Sequence, residues 1–184
     1  MKVLFVIDTL GHADHIAIAS LSAIAKQRGH ETFFCLLSDS DLRKTVLEIN
    51  PTVVAYSANV LGFANIIRKH KEALSTYKFI SILGGPQATF FPESFNESGV
   101  DAYCIGEGEL AFGEFLDCIE EGKSFDSVLN LITAKGRNSV RPLIENLDML
   151  PVLDRDLVLS NSFLSSVSKK TFYATRGCPY RCTY

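Results

Sequence analysis

The feature that most constrains the fold of this chain is a rhythm. From residue 2 to about 123, short apolar runs rich in β-branched residues alternate with longer stretches whose apolar positions recur at helical spacing. Strands separated in this way cannot pair as hairpins; they must cross over and lie parallel, with helices covering the sheet. The pattern predicts an α/β fold with a five-stranded, doubly wound parallel sheet. The strands fall at about 2–8, 31–37, 52–57, 79–83 and 102–105, and the helices at about 12–28, 41–49, 63–77, 92–98 and 109–121. The first helix carries Ala13, Ile16, Ala17, Ser20, Ala23 and Ile24 on its inward stripe, and the last carries Phe112, Phe115, Leu116 and Ile119.

After Gly122 the texture changes. Segments 130–134 and 140–144 flank Lys135-Gly136-Arg137-Asn138, which predicts a small hairpin. Residues 146–156 place Leu147, Leu150, Pro151 and Leu153 among acidic residues and are expected to wrap over a surface before a strand at 171–174. The expected organisation is a domain over 1–125, a hairpin and linker over 126–168, and the start of an incomplete second domain over 169–184. At 184 residues and 47% hydrophobic, the chain is large enough for one full core and little more.

Several function classes fall away on charge and composition. A net charge of −3 gives no basic field for nucleic acid. No apolar run reaches the roughly 18 residues of a membrane span, and the first strand is cut off by Asp8 before it could serve as a signal core. Five cysteines, an odd and scattered set, argue against a secreted disulfide framework, so a cytoplasmic location is expected. Among the histidines, His30 and His70 are read as surface positions beside helix ends.

In open α/β sheets, ligands bind at the carboxyl ends of the strands. Three loops stand out there: Asp8-Thr9-Leu10-Gly11-His12, Ser57-Ala58-Asn59 with Val60 following, and Gly84-Gly85-Pro86. Paired glycines let a bulky ligand lie against the backbone, and Ser57 and Asn59 offer hydrogen bonds. A fourth loop, Gly106-Glu107-Gly108 followed by Glu109, ends the fifth strand. Its glycines suit the edge of a cofactor, whereas Glu109 at a helix start has a sufficient structural explanation. At the other end of the chain, Cys178 and Cys182 stand four apart in Arg176-Gly177-Cys178-Pro179-Tyr180-Arg181-Cys182, and the sequence stops one residue short of C-x-x-x-C-x-x-C. Thiolates are the ligands of iron–sulfur clusters.

Taken together these residues resemble the cobalamin-binding domains of radical S-adenosylmethionine enzymes, over essentially the whole chain. The cobalamin pattern D-x-H-x-x-G, S-x-L, G-G is matched by Asp8, Ser57 and Gly84-Gly85 in order and at similar intervals. The departures are Leu10 at the place of the cobalt-coordinating histidine, Ala13 for the following glycine and Asn59 for leucine. Leucine has no lone pair for cobalt, which argues against histidine ligation from that position. His12 or His15 is the nearest candidate replacement, though surface or capping roles are the commoner fate of such histidines. Gly84-Gly85-Pro86-Gln87, Gly106-Glu107-Gly108-Glu109, Leu147-Asp148-Met149-Leu150-Pro151 and the terminal Arg-Gly-Cys-Pro-Tyr-Arg-Cys match the cobalamin–radical pattern further.

The resemblance implies a flavodoxin-like fold followed by the first strand of a radical barrel. It implies cobalamin bound by the four strand-end loops, a 4Fe-4S cluster held in part by Cys178 and Cys182, and S-adenosylmethionine as cosubstrate. The parent enzyme would transfer a methyl group to a carbon centre or form a ring, with electrons from a ferredoxin or flavodoxin, and this chain alone would be inactive. Two other readings stay open: a non-catalytic cobalamin carrier or sensor, and a flavodoxin-like receiver or nucleotide-binding domain. The absence of G-x-G-x-x-G after the first strand counts against a dinucleotide site.

Overall fold

Val3-Leu4-Phe5-Val6-Ile7 shows no polar alternation, as a strand buried on both faces requires. In the structure, a computed structural model that describes residues 1–9, 15–160, 165, 171–177 and 180, this run is the interior strand β1 (Lys2–Ile7). The other strands are β2 (Glu31–Leu36), β3 (Val53–Ser57), β4 (Ile80–Gly84), β5 (Ala102–Cys104), β6 (Leu131–Thr133) and β7 (Gly136–Arg137). They form one sheet of seven strands in the order β2-β1-β3-β4-β5-β6-β7. The first five are parallel, as expected, and β6 and β7 extend the sheet antiparallel.

The helices are α1 (Ile16–Gln27), α2 (Leu42–Ile49), α3 (Val60–Leu74), α4 (Pro86–Phe90), α5 (Phe95–Ser98), α6 (Glu109–Glu120) and α7 (Arg155–Leu159). Alternate residues of β1 feed two cores. Val3, Phe5 and Ile7 pack with residues of α1, α6 and α7, while Leu4 and Val6 pack with residues of α2 and α3. The strand order reverses between β1 and β3, which opens a crevice at their carboxyl ends.

The structure departs from expectation where side chains decide local geometry. α3 begins at Val60, three residues before the expected start, because Asn59 is its N-cap and accepts a bond from the Gly62 N–H at 2.8 Å. A short helix, α4, begins at Pro86, whose fixed φ suits a first helical position. The buried face of α1 is wider than expected. Ser20, Ala23 and Ile24 are buried as expected, and Ile18, Ala19, Ser22 and Ala25 are buried as well because the linker covers a second side of the helix, while Ile16 is half-buried, Ala17 is exposed and Ala13 lies outside the described residues. There Asp154 accepts from Ser22 Oγ, pairs with Lys26 Nζ at 2.8 Å, and donates its N–H to the Ala19 carbonyl at 3.0 Å.

The hairpin also closes earlier than expected, with Thr133 opposite Gly136 and the turn at Ala134-Lys135. Asn138 sets this register by donating to the carbonyls of Asp126 and Val128, both at 2.8 Å, so 140–144 forms no strand and leaves Val140 and Leu143 exposed. Residues 171–174 form no strand either. A strand needs a neighbour for its N–H and C=O groups, and no described strand lies beside them; instead, Arg155 Nη2 donates to the Thr171 carbonyl.

His30 and His70 are not surface residues: both are buried. α3 presses His70 onto the sheet, with Nδ1 at 3.1 Å from the Tyr56 hydroxyl and Nε2 at 3.1 Å from the Gly99 carbonyl. Burial lowers its pKa, against a smaller upward pull from that carbonyl.

Candidate functional site

The carboxyl ends of β1, β3, β4 and β5 meet at the crevice, and the backbone there is tied before any ligand arrives. The Ala58 N–H donates to the Gly84 carbonyl and the Gln87 N–H to the Ala58 carbonyl, both at 3.0 Å. Gly85 makes this lacing possible. At φ +89° it occupies a conformation open to glycine, and a Cβ there would lie 2.8 Å from the Ala58 oxygen. The next loop is tied in turn. Asn130, at φ 71°, donates to the Ile105 carbonyl at 2.7 Å and accepts from the Arg141 N–H at 3.0 Å, while the Gly106 N–H donates to Thr89 Oγ1 at 3.1 Å.

Two adjoining hollows result, and they share Ser57. The larger, about 320 Å³, is lined by Ser57, Gly84, Gly85, Gly106, Glu107 and Gly108 of the expected set. Phe5, Ala55, Ile82 and Phe112 give it an apolar wall, and Ile16, Ala17 and Leu21 of α1 lie along its side. Gly84 leaves room here, since a Cβ at that position would meet nothing closer than 4.0 Å. The smaller hollow, about 210 Å³, is lined by Asp8, Thr9, His15, Ser57, Ala58, Asn59 and Pro86. Val60 lines neither and is exposed. Leu10, Gly11, His12, Cys178 and Cys182 lie outside the described residues. Among the described residues no grouping of histidine, cysteine and carboxylate side chains could hold a metal ion.

The charged groups are arranged, not scattered. Asp8 Oδ1 accepts from Asn65 Nδ2 and its side chain lies against Gly62, where a Cβ would come within 2.8 Å of the Asp8 Cβ. Glu107 accepts from the Ile144 N–H at 2.7 Å through Oε2 and from Arg176 at 3.1 Å through Oε1. Glu109, buried, accepts from Ser20 Oγ at 2.8 Å and from Arg176 Nη2 at 2.6 Å. Burial alone would raise the Glu109 pKa, but the bonds from Arg176 and Ser20 outweigh it and hold the carboxyl ionised below its usual range. The Cys104 thiol, which also lines the large cavity, is pushed by burial up to about 12 and so remains protonated near neutral pH. His15 in the small hollow has its pKa lowered by burial and makes no side-chain capping bond at the start of α1.

Sequence reasoning missed Ser20, Phe112, Tyr173 and Arg176 as cavity residues. Ser20 and Phe112 were read only as inward-facing positions. Arg176 was visible beside Gly177 and the cysteines, but its partners are 67 and 69 residues away, a pairing that no local spacing reveals.

The arrangement is a mostly apolar slot with carboxylates and hydroxyls at its rim, suited to one elongated group of a larger ligand. A model of the B12 binding domain matches residues 3–116. A protein of Pyrococcus horikoshii described as an uncharacterized methyltransferase is 31% identical over 157 residues, which is 80% of this chain and 34% of that protein. The hopanoid C-3 methylase of Methylococcus capsulatus is 25% identical over 154 residues, covering 80% of this chain and 30% of the methylase. This chain therefore spans about a third of the length of either relative.

Among solved structures, the radical S-adenosylmethionine methyltransferase TsrM of Kitasatospora setae, with tryptophan substrate and a cosubstrate analogue bound, superposes with TM-score 0.65 at 18% identity. That match covers 78% of this chain and 30% of TsrM. The cobalamin-dependent S-adenosylmethionine radical enzyme OxsB, with aqua-cobalamin bound, superposes with TM-score 0.66 at 18% identity, covering 89% of this chain and 25% of OxsB. At these identities the two structures speak to the fold: it is the flavodoxin-like α/β fold of their cobalamin domains.

Proposed function

This chain belongs to the B12-binding domain family, and from that premise we propose that it holds cobalamin at the β1, β3, β4 and β5 ends as the cobalamin-binding part of a radical S-adenosylmethionine enzyme that methylates a carbon centre. The observation that carries the reading is the large cavity at the strand-order reversal, kept open at Gly84 and framed by Gly85, Gly106 and Gly108. Its residues fit the group. Phe5, Ala55, Ile82 and Phe112 offer an apolar wall for the flat benzimidazole of a cobalamin tail, and Ser57 offers a hydroxyl at the junction with the small hollow. Asp8, Thr9 and Asn59 would lie along the polar side of the corrin. Bound cobalamin supplies a cobalt centre able to carry and release a methyl group.

The roles of the chain's own residues follow from that arrangement. They grip the cofactor, keep water from its tail through the apolar wall, and hold the rim carboxylates ionised. Cys178 and Cys182 are proposed as ligands of a 4Fe-4S cluster that works with S-adenosylmethionine, with a ferredoxin or flavodoxin as electron donor. Two proteins that align with this chain are methylating enzymes by name, the hopanoid C-3 methylase and the radical S-adenosylmethionine methyltransferase TsrM, which favours this reading over a carrier or sensor.

The test is reconstitution. Purified chain is mixed with hydroxocobalamin, passed through a desalting column and read by visible absorption. Near-stoichiometric corrin retention at micromolar protein is expected. A colourless protein fraction sinks the proposal.

A further inference from the structure

Resting on the cobalamin reading, we propose that Arg176 is a positioning residue: its guanidinium fastens segment 171–177 across the mouth of the large cavity to Glu107 and Glu109, so that this segment and the occupant of the cavity hold each other in place.

The geometry is that of a latch with two catches. Arg176 Nη1 reaches Glu107 Oε1 at 3.1 Å, and Nη2 reaches Glu109 Oε1 at 2.6 Å. Each catch is anchored from behind. Glu107 Oε2 takes the Ile144 N–H, and Glu109 Oε1 also takes the Ser20 hydroxyl, so the two carboxylates are fixed to the 138–146 loop and to α1 before Arg176 arrives. Ionised carboxylates with a guanidinium make charge-assisted bonds, and a planar fork that reaches two acceptors at once fixes direction as well as distance. The side chains of Glu109, Glu107 and Arg176 are 7%, 19% and 34% exposed, so the bond to Glu109 is the better sheltered of the two from screening.

Two further contacts extend the strap along its length. Arg155 donates to the Thr171 carbonyl, and its guanidinium carbon stands 4.5 Å from the centre of the Phe172 ring. Tyr173 and Arg176 both line the large cavity, so residues from the far end of the chain complete a wall otherwise built by the sheet, α1, α6 and the loop before α6. In sequence Arg176 stands two residues before Cys178, which makes the latch a link between the cofactor cavity and the lead-in to the cysteine pair.

Hydrogen–deuterium exchange of the amides of 171–177, read by mass spectrometry on this chain, tests the latch. Without ligand, Arg176→Met is expected to speed exchange there by about tenfold or more relative to the parent, with the sheet strands unchanged. Arg176→Lys, a point charge able to satisfy one carboxylate, should fall between the two, and Glu109→Gln should resemble it. Hydroxocobalamin should slow exchange of 171–177 in the parent but not in Arg176→Met, and corrin should leave Arg176→Met about tenfold faster. Equal ligand-free exchange in the parent and Arg176→Met overturns the latch. A ligand-free difference that hydroxocobalamin leaves unchanged, although corrin is retained, overturns the mutual support. If the parent retains no corrin, the cobalamin reading and the mutual support both fall, and the ligand-free comparison still decides the latch.

Discussion

Three glycine-to-alanine substitutions separate the two costs that a methyl group can incur in this fold. Gly85 carries both: φ +89° and ψ −171°, a region costing a non-glycine residue about 1–3 kcal/mol, and a Cβ that would lie 2.8 Å from the Ala58 oxygen. The clash cannot relax cheaply, since Ala58 is held by its N–H to Gly84 and by its carbonyl to Gln87. Displacing pinned backbone adds a cost like that of overpacking, about 1–3 kcal/mol, so Gly85→Ala should lose roughly 2–6 kcal/mol in all. Gly29 isolates the first cost, with φ +80° and nothing within 4 Å of its added Cβ; about 1–2 kcal/mol is expected there. Gly84 has neither problem, and alanine should be neutral or stabilising by up to about 1 kcal/mol through reduced freedom of the unfolded chain. Urea unfolding followed by circular dichroism, with slopes compared to confirm a common unfolded state, gives the three values. In thermal scans the Gly85 loss corresponds to a fall of about 4–24 °C for a chain of this size. If Gly85→Ala unfolds no earlier than Gly29→Ala, the contact with Ala58 does not constrain the loop and the preorganised cradle is wrong.

Gly84→Leu tests the cavity itself: with open space beyond its Cβ, the side chain should enter the slot and weaken hydroxocobalamin binding by at least about tenfold, measured by absorbance titration, while the unfolding midpoint moves little. For pH, the sign follows from the neutral state of His70. Its folded pKa lies below 6.5, so the unfolded chain binds the extra proton first, and His70 contributes stability above about pH 6.5 that is lost as pH falls through the folded value. His15 and His30 shift in the same direction, so urea midpoints should decline between pH 7.5 and 5.5, and less steeply in His70→Gln. Cys35 and Cys104, with pKa values raised to about 11 and about 12 by burial, should resist iodoacetamide at pH 8 in the folded chain and react only on unfolding; rapid native alkylation of Cys104 would mean that the cavity floor is open.

What was legible in the sequence was whatever depends on period. The five parallel strands and the helices between them follow from apolar runs a few residues long, and the strand-end loops follow from those. What was not legible depends on single polar side chains. Asn59 reads as a ligand-facing residue and does line the small hollow, but nothing in the sequence shows that its side-chain oxygen also caps α3, and Asn138 looks like a turn residue until it is seen holding the preceding loop. The buried His70 defeats composition for the same reason: its partners, a tyrosine hydroxyl and a carbonyl on another element, are not neighbours in sequence. Of the candidate site, Gly84, Gly85, Gly106 and Gly108 could be read because glycine announces a backbone requirement. Arg176 could not, because arginine is at home on any surface.

The antiparallel extension gives the site its stiffness. β5 is only three residues long and would be a weak edge for a loop that must present Glu107 and Glu109. β6 covers that edge, pairing Cys104 with Leu131 and Tyr103 with Ile132. Asn130, just before β6, then reaches back to the Ile105 carbonyl, and the 138–146 loop supplies the Ile144 N–H to Glu107 and Arg141 to Glu114 of α6. On the opposite side of the cavity, Asp154 and α7 hold α1, whose Ser20 meets Glu109. Both carboxylates that receive Arg176 therefore rest on segments beyond residue 125. The parallel sheet makes the crevice, and the residues that follow it set where the rim stands, so shortening the chain at the end of α6 should loosen Glu107 and Glu109 while leaving β1 and β3 paired.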